Sequence, residues 1–259
     1  MAKLYGSVPP LSMWRAWETA AYRKFKISQP VLDVGCGDGD FFRLIWPRVR
    51  EVVGVDADPR VTKLAKESGI YRDVITVNAH DMNFTKGAFG SCFANCSLEH
   101  MDNLDGVLER VSHAVKARGE FLLSVATDNF AEWNSVPGIL REAGYGTAAA
   151  EMQQQFLGYH HLVNPLPSNV WRTKIENAGF AVEAFVPIIP EFSSRVFLAL
   201  DSAWHLVRSG GSELGSAMHE RFRTIPRFEK HARAIVEGLF GMDTAWQETS
   251  GAVFFARRK

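Results

Sequence analysis

The sequence predicts an α/β fold: a seven-stranded, mostly parallel sheet with helices on both faces and helical insertions around one edge. Three observations carry this expectation. Short apolar runs alternate with amphipathic stretches, the pattern of strands buried between helical layers. One of those runs, Val31-Leu32-Asp33-Val34, leads straight into a loop with glycine at alternate positions, Gly35, Gly37 and Gly39. The composition, 46% hydrophobic and 22% charged over 259 residues, suits a chain that buries a sizeable core.

Taken in order, strands are expected at Pro30–Val34, Glu51–Asp56, Asp73–Asn78, Ser91–Cys96, Glu120–Ala126, Phe180–Val186 and Ala252–Arg257, each a short run rich in apolar residues. Helices are expected between them, at Phe41–Trp46, Arg60–Ser68, Leu104–Lys116 and Val170–Ala178. The last two strands are expected to pair as a hairpin. The whole reads as one domain, 1–259, with added segments at 1–29, 127–169 and 187–250. In such a sheet the second insertion leaves a strand's carboxyl end and the third joins the final hairpin at the same edge. Open α/β sheets bind ligands there, so the segments are expected to cap a substrate site. Within the third, Phe192, Val196, Phe197, Leu200, Trp204 and Val207 fall at helical spacing and predict an apolar stripe that packs on the core or on a second subunit.

Several function classes lose ground on composition. The 29 Lys and Arg cancel the 29 Asp and Glu, leaving no global positive field for a nucleic-acid backbone. The three cysteines, Cys36, Cys92 and Cys96, form neither a disulfide framework nor a metal-spaced cluster, which fits a reducing, cytoplasmic compartment. No apolar run approaches the roughly 18 residues that span a bilayer, and Met1–Gly6 lacks the charged and apolar pattern of a targeting segment.

The chemistry lies in the first third. Glycines in the loop after Val34 allow unusual backbone angles and a close ligand approach. Asp33 stands where it can receive a cationic amino group, directly or through water. A second strand, Val52-Val53-Gly54-Val55-Asp56, ends in an acid 17 residues after Gly39, and a carboxylate there can accept from both hydroxyls of a ribose. Together they indicate a nucleoside cofactor. A dinucleotide is disfavoured, because the sixth loop position is Asp40 rather than a small residue and a pyrophosphate would meet Asp38 and Asp40.

From Gln29 to Val125, and again over Trp171–Val186, the chain resembles the class I S-adenosylmethionine-dependent methyltransferases of the methyltransferase-11-like group, which share the Rossmann-like fold. The resemblance implies a transferase with S-adenosyl-L-methionine as cofactor and S-adenosyl-L-homocysteine as product. It implies cofactor contacts from Asp33, Gly35, Cys36, Gly37, Gly39, Asp56, Ala57, Ala79 and Asn95. It puts Asn78 where the family has an acid that contacts adenine, with Asp81 a rival for that contact. Gly90 replaces a family aspartate, and Ala117-Arg118-Gly119 replaces a Pro-Gly-Gly turn.

Methyl transfer asks first for alignment, worth on the order of 7–11 kcal/mol of barrier, and an oxygen acceptor also needs a base. Two clusters offer one: Glu99-His100 after the fourth strand, and Tyr159-His160-His161 in the second insertion. Asp128-Asn129 follows the fifth strand as in metal-dependent members, but the companion acid is missing, so no metal is expected. The Asn-Pro-Pro-aromatic block of nucleic-acid N-methylation is absent after the fourth strand. The expected acceptor is therefore a small molecule such as a sugar, glycan or lipid-linked intermediate, methylated on oxygen in a biosynthetic pathway. The alternatives are N-methylation of a small natural product, or a non-catalytic scaffold that binds the cofactor.

Overall fold

A computed structural model of the chain describes residues 8–207, 209–242 and 248–259. The opening Met1–Gly6, read above for targeting, lies outside the described residues. The elements run α1 (Pro9–Tyr22), β1 (Val31–Val34), α2 (Asp40–Ile45), β2 (Val52–Asp56), α3 (Pro59–Glu67), β3 (Asp73–Thr76), β4 (Phe89–Asn95), α4 (Leu104–Ala114) and β5 (Val115–Ala126). They continue with α5 (Asn129–Glu132), α6 (Val136–Glu142), α7 (Gly146–His160), α8 (Ser168–Asn177), β6 (Phe180–Pro190), α9 (Glu191–Trp204), α10 (Leu214–Arg223), α11 (Phe228–Met242) and β7 (Thr249–Arg258).

The seven strands form one sheet in the order β3-β2-β1-β4-β5-β7-β6. β1 pairs in parallel with both β2 and β4, and β2–β3 and β4–β5 are parallel as well. At the far edge Lys259 N–H donates to Gly179 O at 3.0 Å and Arg257 Nε to Glu183 Oε1 at 2.8 Å. Rising numbers along β7 thus meet falling numbers along β6, and the pair is antiparallel. The chain steps from β1 outward to β2 and β3, then returns to β1's other side as β4. That reversal opens a crevice beyond the carboxyl ends of β1 and β4, where open α/β sheets take their ligands.

Contact density divides the chain into two units. The first comprises Met1–Thr19, Asp128–Leu162 and Pro187–Gly251, the second Ala20–Thr127, Val163–Val186 and Ala252–Lys259. In the second unit β1 is buried at every position, whereas edge strand β3 buries only Val74, which is why the central strands read as unbroken apolar runs. Trp171 and Ile175 of α8 and Leu104, Val107, Leu108 and Val111 of α4 pack into one cluster with Leu32, Phe121 and Phe254. Spacing of three and four places the α4 residues on one face. In the first unit Trp14 meets Phe130 edge-on with ring centroids 5.3 Å apart and lies 5.4 Å from Phe197.

Two local expectations change. The turn read at Ala117–Gly119 lies inside β5, where Phe89 pairs with Val115 and Ser91 with Glu120; Arg118 takes φ +62° in the resulting bulge. The stripe expected along Phe192–Val207 splits as well. Phe197 and Trp204 are buried, but Phe192, Leu200 and Val207 are 47%, 37% and 53% exposed. The buried face of α9 instead carries Ser194, Asp201 and Ser202, because Asp201 must turn inward to meet two histidines described below.

Leu122 is fully buried in β5. Leu122→Ala is expected to cost about 2–5 kcal/mol in urea unfolding, while Lys63→Ala on exposed α3 surface stays within about 0.5 kcal/mol.

Candidate cofactor and acceptor site

A cavity of about 350 Å³ opens in the second unit, within the size range of small-molecule sites. Gly35 and Ser97 lie at the ends of β1 and β4, Asp56 and Ala57 at the end of β2, and Asn78, Ala79 and His80 beyond β3. Cys96, His100, Met101 and Asp102 complete the wall toward α4.

Each piece is held by local chemistry. Asp56 Oδ2 accepts from Gly37 N–H at 3.0 Å and Oδ1 from Asp58 N–H at 3.0 Å, so the carboxylate is fixed before any ligand arrives. A carboxylate has about four acceptor positions, which leaves capacity on both oxygens. Asp58 in turn caps α3, accepting from Arg60 N–H at 2.8 Å, with Pro59 at the first helical position. Gly35 is required twice over. It takes φ +71°, and a Cβ there would lie 2.4 Å from Ser97 Cβ, whose Oγ donates to Val34 O at 2.9 Å. Gly39 takes φ +83° and opens α2.

Beneath the loop lies a pair that sequence reading missed. Tyr71 Oη donates to Asp33 Oδ2 at 2.7 Å. Its ring fills the space that Cβ atoms on Gly39 and Gly54 would occupy, at 2.5 Å and 3.1 Å respectively. The available signal was Gly54, a glycine inside a strand with no turn to make. Burial pushes the Asp33 carboxyl up to about 7, the Tyr71 hydrogen bond opposes the shift, and nearby Asp56 adds to it. Asp33 is 2% exposed and lies behind the cavity wall.

The Glu99-His100 pair sits in a short 3-10 turn, Leu98–His100, directly after β4. His100 lines the cavity. Glu99 is fully buried; its Oε1 accepts from Ala126 N–H at 2.9 Å and from Cys96 Sγ at 3.0 Å, and burial raises its carboxyl above the usual range. The turn is clamped from outside. Val163 and Asn164 N–H both donate to Glu99 O, and Asn164 Nδ2 donates to Met101 O at 2.8 Å.

Of the other residues read from the sequence, Cys36 is buried behind the loop and Gly37 stands beside Asp56, both outside the lining. Asn95 accepts from Tyr22 Oη at 2.8 Å and from Ser124 Oγ at 3.3 Å, and Asp81 is exposed beside His80; neither lines the cavity. Asp38 accepts from Asp40 N–H at 2.9 Å and Asp40 pairs with Arg43, so the start of α2 already holds an acid where a dinucleotide would put its pyrophosphate.

His160 belongs to the first unit. Its Nε2 lies 2.6 Å from Asp201 Oδ2, while His205 reaches Asp201 at 3.5 Å and Glu213 at 3.3 Å. Burial pushes the Asp201 carboxyl up, but the bonds from His160 and His205 bring it below its ordinary value. His161 takes φ +41° as the exposed cap that ends α7. Asn129 Nδ2 donates to Thr249 O at 3.3 Å.

Residues 32–123 match the family model described as a methyltransferase domain. An uncharacterized methyltransferase of Schizosaccharomyces pombe is 31% identical over 103 residues, 37% of this chain and 39% of that protein. Demethylmenaquinone methyltransferase of Symbiobacterium thermophilum is 25% identical over 131 residues, 46% and 52% of the two chains. This chain thus spans about half or less of the length of those curated relatives. Among solved structures, geranyl diphosphate C-methyltransferase of Streptomyces coelicolor, in complex with Mg²⁺, geranyl diphosphate and S-adenosyl-L-homocysteine, superposes with a TM-score of 0.56. It is 14% identical, over 94% of this chain and 77% of that one. The fold is the Rossmann-like one of class I methyltransferases. Among the described residues, no helix is long and apolar enough to cross a membrane.

The Asp33 shift has a definite sign. A carboxyl raised from 3.8 to about 7 stabilises the native state fully below pH 4, and that contribution is lost as the pH climbs through 7. Wild-type stability relative to Asp33→Asn is therefore expected to fall between pH 4 and pH 7 and then level off. Urea unfolding across that range checks it; a flat difference contradicts the assignment.

Proposed function

Starting from a chain whose residues 32–123 form a methyltransferase domain, we propose that it is an S-adenosylmethionine-dependent methyltransferase that methylates oxygen on a small-molecule acceptor. The single observation that carries the cofactor reading is Asp56, a cavity-wall carboxylate with both oxygens fixed by backbone amides and room to accept from two ribose hydroxyls. Asn78 and Ala79, farther along the same wall, suit an adenine ring, with the Asn78 amide oxygen accepting from its amino group. The buried Asp33–Tyr71 pair lies behind the loop, where a water can link it to the amino group of the donor.

In the reaction the acceptor oxygen attacks the methyl carbon. The carbon–sulfur bond breaks, its electron pair returns to sulfur to give a thioether, and the acceptor proton must leave. The corner formed by Cys96, Glu99 and His100 handles that proton, since Cys96 and His100 line the cavity and Glu99 backs them. A small acceptor is favoured by the zero net charge, which draws no polyanion toward the site. His160, with Nε2 engaged by Asp201, is assigned to holding α7 and α9 together.

Two substitutions test this. Asp56→Ala should weaken S-adenosylmethionine binding by about 10–100-fold, the loss of charge-assisted bonds worth about 1.5–3 kcal/mol; unchanged affinity removes the ribose assignment. With methyl-labelled donor and a panel of hydroxylated small molecules, His100→Ala should lower label transfer by about 10²–10⁴-fold without altering donor affinity. Full turnover in that variant moves the base elsewhere.

A further inference from the structure

The corner at the end of β4 has a composition that proton transfer alone does not need. Cys96 Sγ, a Glu99 carboxylate oxygen and a His100 ring nitrogen all lie within 4.8 Å of one another. Glu99 is wholly buried, and while Oε1 is held by the Ala126 amide, Oε2 has no hydrogen-bond partner in the structure. A buried carboxylate oxygen left without a donor is costly unless a cation or proton meets it. Cys96 is forced into φ +47°, a left-handed conformation that disfavours side chains, and is pinned there by its N–H bonding to Ser124 O and Oγ, both at 3.0 Å. Strain of this kind persists where the surroundings fix it and concentrates at functional sites.

We propose that Cys96, Glu99 and His100 form a zinc site facing the cavity, with the fourth coordination position open to the acceptor. The inference rests on the methyl-transfer reading for its use and departs from the absence of metal expected from sequence. One sulfur, one nitrogen and one carboxylate oxygen suit zinc, whereas magnesium and calcium take oxygen sets. Bonds of about 2.0–2.3 Å in a tetrahedron put ligand atoms roughly 3.3–3.6 Å apart, so this group closes on an ion through small side-chain rotations. The Ala126 amide on Oε1 then acts as the outer partner that orients the carboxylate. Three protein ligands with one open position is the arrangement of catalytic rather than structural zinc. Cys96 and His100 reach the cavity, and the open position falls on their side. Binding releases to solvent the Cys96 thiol proton that otherwise bonds Glu99 Oε1, and a zinc-bound acceptor hydroxyl would release its own proton to solvent more readily before its oxygen attacks the methyl carbon, so the corner would act on that proton through the metal rather than by taking it onto His100.

The test uses the whole chain, stripped with a chelator, dialysed against Zn²⁺ and gel-filtered. About one zinc per chain is expected by plasma mass spectrometry. Co²⁺ in its place should give thiolate-to-cobalt charge-transfer absorption, a readout that needs no variant. Cys96→Ser and His100→Ala, with folding checked by circular dichroism, should each weaken zinc binding at least about tenfold. Wild type that takes up no zinc, a cobalt complex without the thiolate band, or folded variants with undiminished affinity would overturn the site. S-adenosylhomocysteine is titrated into the same metal-free sample to separate the two readings. Its binding without zinc uptake removes the metal site and keeps methyl transfer, whereas zinc uptake without its binding keeps the metal site and removes the methyl-transfer reading.

Discussion

The hydrogen bond from the Gly37 amide to the Asp56 carboxylate joins the loop after β1 to the end of β2, and the shape of the cavity depends on it. Parallel pairing of β1 with β2 brings the two strand ends level, with Val34 opposite Val55. Without further bonds the loop that follows would be free to collapse or swing away. Gly35 and Cys36 N–H both bond Val55 O, at 2.8 Å and 3.0 Å, which turns the chain, and Asp56 catches it one residue later. The same carboxylate takes Asp58 N–H and so sets the start of α3. One side chain therefore fixes a loop, a helix start and a cavity-facing carboxylate, and its substitution acts on all three.

A second constraint lies underneath. The Tyr71 ring is admitted only because Gly39 and Gly54 lack side chains, and its hydroxyl reaches Asp33 where that carboxylate is only 2% exposed. Burial of Asp33 raises its carboxyl to about 7, into the neutral range. A cationic amino group arriving nearby would favour the ionised form. On the opposite wall Glu99 is held by its own carbonyl as well as its carboxylate, since Val163, Asn164 and Ala126 all donate to it. Two buried acids thus back the cavity wall, held by Tyr71, Ala126, Val163 and Asn164 from distant parts of the sequence and by neighbouring Cys96.

Much of the sheet was legible because its strands are short, central and apolar, and because glycine and acid positions carry conformational and chemical meaning one residue at a time. β4 began at Phe89 rather than Ser91, two residues earlier than expected, because a bulge opposite Val115–Glu120 absorbs the mismatch. Gly90, which replaces a family aspartate, has a plain reason: a Cβ there would lie 2.7 Å from Gln29 O. Tyr71 was not legible, since nothing local marks an aromatic residue that answers to glycines 17 and 32 positions earlier. The α9 stripe misled for a related reason. Helical spacing reports which residues share a face, and the face that turned inward was decided by Asp201 and its histidines. Cys96 was read as a strand residue without ligand spacing, yet its relation to Glu99 and His100 depends on a left-handed turn that composition does not announce.

On the proposed function, the cavity beside Asp56 takes a sulfur-bearing nucleoside and refuses a dinucleotide. Calorimetry on the wild-type chain with S-adenosylhomocysteine and with NAD, under identical conditions, measures this most directly. Saturable one-to-one binding of S-adenosylhomocysteine with no heat of binding for NAD is the predicted result. Binding of NAD, or no binding of S-adenosylhomocysteine, would rule out that selectivity.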